Sequence, residues 1–190
     1  MKKLLTITAA ALMAISASAQ SEAGSFTLQP NVGVTYSTAT GDGKSMDGAI
    51  GLTAGVEGMY MVNEKFGAAL GLNYTGYNVS KEILNKDYIL SNYYFNIPVM
   101  ANYYVAPGLA IKAGFAANIL STSKLDGEDN LYNTKVKDGY ESIFFSIPIG
   151  ASYEISDFVF NLRYSFGLGD IKKDGDGTFN ALSFTVGYKF

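Results

Sequence analysis

The sequence has no cysteine, no histidine and no tryptophan, and only 4 prolines in 190 residues. Without cysteine there is no disulfide framework and no thiol nucleophile, and the redox compartment stays open. Without histidine the commonest general base is missing. Serines are plentiful, but a serine with no base beside it is a polar filler. A paired-carboxylate mechanism is still open in principle, and no catalytic residue is assigned. Charge is scarce as well. Asp, Glu, Lys and Arg make up 16% of the chain, against roughly 25% in ordinary soluble domains, too little for the usual water-facing surface. A net charge of −3 gives no sign of nucleic-acid binding. Beyond the first 19 residues no stretch is apolar for about 18 residues, so no transmembrane helix is expected.

What the chain does have is aromatic residues, 14 Tyr and 12 Phe, together with 21 Gly and 48% hydrophobic residues. The start reads as a secretory signal peptide over residues 1–19: Lys2 and Lys3, a short apolar run from Leu4 to Ile15, then small residues at Ala17, Ser18 and Ala19. The mature domain is then expected over 20–190.

"FTLQPNVGVTYS" (26–37) alternates strictly, with Phe26, Leu28, Val32, Val34 and Tyr36 on one parity and Thr27, Gln29, Asn31, Gly33 and Thr35 on the other. That is a strand with two unlike faces. The pattern recurs around residues 50–60, 66–75, 92–103, 109–119, 142–153, 158–168 and 182–190, giving eight strands of a length suited to a tilted membrane crossing. Short connections, "VNEK" (62–65), "APG" (106–108) and "ISD" (155–157), alternate with long polar ones at 38–47, 79–90, 122–140 and 169–177. An up-and-down meander with one end periplasmic and one outside gives this alternation. "YFNIPVMANYYV" (94–105) and "FFSIPIGASYEI" (144–155) are offset copies, each ending at a short turn, and Pro98 and Pro148 inside them predict a bulge or local irregularity.

The polar parity carries mostly Gly, Ser, Thr and Asn, which suits a narrow lumen. The apolar parity is too large and aromatic to fit inside eight strands, so lipid must solvate it. Tyr60, Phe66, Tyr103, Tyr153, Phe158, Tyr188 and Phe190 at the short-turn ends, and Tyr36, Tyr74, Tyr93 and Phe166 toward the long loops, match two interfacial belts. The fold expected is all-β, an eight-stranded antiparallel up-and-down transmembrane β-barrel in the bacterial outer membrane, monomeric, with periplasmic termini.

These residues carry a resemblance. A signal peptide, eight amphipathic strands and "FTVGYKF" ending at Phe190 look like a small bacterial outer-membrane β-barrel protein. The "Y-F-N-I-P-V" and "F-F-S-I-P-I" strands and the "SAQ" region look most like the PorT-like outer-membrane beta-barrel family. Phe184, Tyr188 and Phe190 resemble the signal read by the barrel-assembly machinery. The resemblance implies lipid and lipopolysaccharide as surroundings, with no cofactor.

Four charges point inward by parity, Glu57, Lys112, Arg163 and Lys189, with Glu154 at the periplasmic rim. Glu57, Lys112 and Arg163 should share one level. They read either as a compensated cluster that closes the barrel or as a gate in a narrow, porin-like pore. Asp174 and Asp176 in "KKDGDGT", like "DGEDN" (126–130), read as solvated turns, with no metal site assigned. Lys124, Asp126, Tyr132, Lys135 and Tyr140 in the longest loop are candidate recognition residues for an extracellular or envelope protein partner; a hairpin edge there could pair with a partner strand. Three functions stay open: a non-enzymatic structural or adhesive protein acting through four outer loops, a narrow small-solute channel, and an accessory to secretion or envelope assembly.

Overall fold

A computed structural model describes residues 22–41, 44–83, 86–127, 134–135, 142–169 and 177–190. The segment expected to be a signal peptide lies outside them. Eight long strands run through the described residues: β1 Phe26–Gly41, β2 Lys44–Asn63, β3 Phe66–Ile83, β4 Lys86–Ala106, β5 Leu109–Gly127, β6 Ile143–Ile155, β7 Phe158–Leu168 and β8 Thr178–Tyr188. A two-residue segment, Thr134–Lys135, pairs with Lys124 and Leu125 of β5. Among the described residues there is no helix.

Each strand pairs antiparallel with the next, and β1 pairs with β8, so the sheet closes on itself. Closure pairs the strand edges inside the barrel, which a hydrocarbon surround requires. At the seam the register holds from Asn31↔Gly187 to Thr40↔Thr178. Leu28 and Phe190 extend it by exchanging two backbone hydrogen bonds of 3.2 and 2.9 Å.

The three short connections are two-residue turns. At Glu64–Lys65 the Asn63 side-chain oxygen accepts from the backbone N–H of Lys65 and of Phe66, both at 2.9 Å, a local bond that asparagine is suited to make. At Pro107–Gly108 the glycine takes φ 72°, and at Ser156–Asp157 the serine takes φ 51°.

The expected bulges at the two prolines are absent. Register is unchanged across Pro98, from Leu70↔Val99 to Asn73↔Asn96, and across Pro148, from Ala113↔Ile149 to Ala116↔Ser146. The irregularity is an interruption of two rungs. By that register Gly71 faces Pro98 and Gly114 faces Pro148. A Cβ on Gly71 would meet the Pro98 ring at 2.9 Å, so a glycine opposite the proline supplies the room a bulge would have given.

The long connections differ more. Residues 38–41, 44–47, 79–83, 86–90 and 122–127 continue the ladder, reaching Gly41↔Lys44, Ile83↔Lys86 and Tyr88↔Gly127. Outside the bilayer a hairpin needs no apolar face, so alternation fades while backbone pairing goes on. β1 to β5 are 16 to 21 residues long, but β6, β7 and β8 only 13, 11 and 11. A membrane crossing uses about 9 to 11. One side of the barrel therefore stands as a wall well above the bilayer.

The outward face is apolar over the crossing, as with Leu52, Leu70, Val99, Phe115, Ile149, Leu162 and Phe184, all exposed on the barrel exterior. Leu70, Val99 and Phe115 lie in one row across β3, β4 and β5. Leu70 sits midway between the belt residues Phe66 and Tyr74, which places it near the bilayer centre. Leu70→Arg should cost about 2–4 kcal/mol, the depth-dependent penalty for a lipid-facing cation, read as a shift in urea unfolding from lipid vesicles.

Candidate functional site

Alternation sends every second side chain of the barrel inward, and these stack as four layers. Nearest the short turns is an apolar layer of Met59, Met61, Ala69, Met100, Tyr104 and Ala110, all buried. Asn102 Nδ2 donates to Met59 Sδ at 3.0 Å. On its rim the Tyr104 hydroxyl donates to Glu154 Oε1 at 2.5 Å, and Lys189 Nζ meets Glu154 Oε2 at 2.6 Å. Tyr104→Phe leaves that carboxylate with one partner fewer and should cost about 1.5–3 kcal/mol, the range for hydrogen bonds to charged groups, measured by denaturant unfolding.

Next comes the charged layer. Lys112 Nζ lies 2.5 Å from Glu57 Oε1, and Arg163 Nη2 lies 3.0 Å from Glu57 Oε2. Lys112 also donates to Asn161 Oδ1 at 3.1 Å. Both oxygens of one buried carboxylate are thus used, one by each cation.

Above it is a neutral polar layer. Thr53 and Thr75 share a hydrogen bond of 2.8 Å, and Asn96 Nδ2 donates to Asn118 Oδ1 at 2.8 Å. Asn118 Nδ2 reaches Ser146 Oγ at 3.1 Å. A chamber of about 30 Å³ lies here, walled by Arg163, Asn31, Asn73, Ser165 and Thr185 among others.

The outer layer is aromatic. Tyr77, Tyr94, Phe144 and Phe179 pack with ring centroids 5.1 to 6.2 Å apart. Ala39, Val79, Leu120 and Ala181 fill in around them. The Tyr77 hydroxyl donates down to Asn118 Oδ1 at 3.1 Å. The polar middle of the lumen is therefore stoppered by apolar side chains at both ends.

Glu57, Lys112 and Arg163 come together at one level. Lys189 does not join them: it stands on Glu154, nearer the short turns, because it lies only two residues past Gly187 at the end of the seam. Lys124 and Asp126 fall in β5, opposite Ser91 and Ile89, and Lys135 pairs with Lys124; they belong to a ladder and not to a free loop. Tyr132, Tyr140, Asp174 and Asp176 lie outside the described residues. Phe184 faces outward, and Phe158, Tyr188 and Phe190 form an exterior aromatic row with centroids 5.4 and 4.8 Å apart. The two plugs were not anticipated, though the same parity that assigned Glu57 inward also assigns Met59 and Met61 inward.

The sequence pattern of the outer membrane protein beta-barrel domain matches residues 7–190. The chain belongs to that family. It resides in the bacterial outer membrane. Two of the solved structures that share the fold show the likeness. Ail, the attachment invasion locus protein of Yersinia pestis, solved with the heparin analogue sucrose octasulfate, matches at 15% identity and TM-score 0.57, over 87% of this chain and 99% of its own. Neisserial surface protein A matches at 17% identity and TM-score 0.58, over 89% of this chain and all (100%) of its own. No curated protein matches in sequence.

Proposed function

We propose that this outer-membrane barrel is a non-enzymatic binding protein of the cell surface, working through the wall of strands above the bilayer. One observation carries the reading: the lumen is filled and stoppered at both ends, while five adjacent strands continue well past the length a crossing needs. A barrel whose interior is packed and whose exterior is prolonged offers its outer surface for work. Exposed segments on a rigid scaffold are where recognition concentrates.

Ail is named for attachment, but its likeness to this chain concerns the fold. The charge of the outer segments argues for a different ligand from a heparin analogue. Residues 38–47, 79–90, 122–140 and 169–177 hold 11 acidic and 8 basic residues, a net of −3. A partner recognised here is not a polyanion; a protein surface of mixed charge fits better. Catalysis is disfavoured because Glu57 and Glu154 are both engaged by cations.

Replacing 40–45, 81–88 and 124–138 with two-residue turns, which leaves Ala39, Val79 and Ser123 in the lumen, tests this. Surface adherence of cells displaying the barrel should fall to that of barrel-free cells, with folding retained as heat-modifiable migration. Undiminished adherence would contradict the reading. A second reading, an accessory to secretion or envelope assembly, draws on the likeness of the "NIPV" and "SIPI" strands to PorT-like barrels. It requires a secretion defect on deletion of the chain.

A further inference from the structure

We propose that the chamber beside Arg163 binds one small monovalent anion of the halide class, which neutralises the charge that the lumen carries in excess. Among the described residues the inward-facing ionised groups are Glu57, Glu154, Lys112, Arg163 and Lys189. Lys189 and Glu154 cancel each other at the periplasmic rim. Glu57 is left to balance both Lys112 and Arg163, so the charged layer holds a net +1 inside a ring of lipid-facing side chains. A buried charge without a counter-charge is costly, and the cost falls only by pairing or by neutralisation.

The geometry says where the counter-charge sits. Lys112 is enclosed between Glu57 and Asn161 and makes its bonds there. Arg163 meets Glu57 through Nη2 alone. A guanidinium carries five N–H donors in a fixed fork, and Arg163 also lines the chamber. Around it stand the side chains of Asn31, Asn73, Ser165 and Thr185, amides and hydroxyls able to donate. No carboxylate other than Glu57 lines that space.

Size and charge together point to the class of anion. A chamber of about 30 Å³ has room for about two water-sized groups. A chloride or bromide ion fits, with a water beside it. The single excess positive charge calls for a monovalent ion. The aromatic layer above and the methionine layer below keep the ion in place, so it behaves as a structural component and not as a transported one.

The test is crystallographic, on the refolded barrel grown in sodium bromide. The wild-type protein should give an anomalous peak in the chamber, within hydrogen-bond reach of the Arg163 guanidinium. Lys112→Met keeps Arg163 and its neighbours but brings the layer to zero net charge. Halide affinity there should drop on the order of tenfold or more, the effect of losing one charge-assisted contribution. A wild-type chamber that holds water only, or bromide confined to the barrel exterior, overturns the proposal. So does a Lys112→Met barrel with undiminished chamber bromide, since net charge would then not be what recruits the ion. The wild-type result needs no variant to fold.

Discussion

Glu57→Gln destabilises the barrel by about 3–5 kcal/mol, the penalty for leaving buried charges without their partner. The effect is large because one carboxylate serves two cations, Lys112 at 2.5 Å and Arg163 at 3.0 Å. Glutamine keeps the shape and one acceptor oxygen but removes the negative charge, so two positive groups face each other in the lumen. The same change at an exposed ion pair would cost about 0–1 kcal/mol. Urea unfolding of the refolded barrel in vesicles reads the difference. Glu57→Gln with Lys112→Met should recover most of the loss, because a single cation then remains beside polar neighbours. A Glu57→Gln barrel as stable as the wild type would mean that the charged layer does not hold the strands together.

Phe144→Ala carries a similar cost, about 3–5 kcal/mol, through a different mechanism. Phe144 is buried, and its ring lies 5.1 Å from Tyr94, 5.9 Å from Tyr77 and 6.0 Å from Phe179. Removing it opens a cavity bounded by three rings anchored on a closed sheet, which cannot collapse around the gap. Denaturant unfolding should show the loss. Conductance should stay absent in the variant, because the methionine layer still closes the other end. Phe115→Ala, by contrast, removes a ring that faces lipid on the exterior and should cost much less.

The strand pattern made the crossing legible. Parity fixed which side of each strand faces lipid, and it placed Glu57, Lys112 and Arg163 at one level before any contact was known. The short connections were legible too: "VNEK", "APG" and "ISD" each contain an observed turn, though the strands run one or two residues further into them. Two features were harder to read. Beyond the bilayer, residues 38–41, 44–47, 79–83 and 86–90 keep pairing without an apolar face, so no alternation marks them as strand. Tyr77, Val79 and Phe179 escaped notice for that reason, since they sit where the pattern had already faded. The second is the meaning of the repeat. "YFNIPVMANYYV" and "FFSIPIGASYEI" lie on β4 and β6, which flank β5 on either side. Equivalent positions therefore meet on the lumen side, over β5. Tyr94 packs on Phe144, and Tyr104 bonds to Glu154, 50 residues apart in both cases. One sequence shows the two copies, but only strand order shows that they touch.

A lumen stoppered at both ends, with function on the outer wall, is the central claim, and planar-bilayer recording tests it most directly. Refolded barrel, checked for heat-modifiable migration, should insert and give no steady open-channel current. A stable unitary conductance from correctly folded protein would contradict the account. Ions would then be passing the aromatic and methionine layers, and the lumen would be the working part of the molecule.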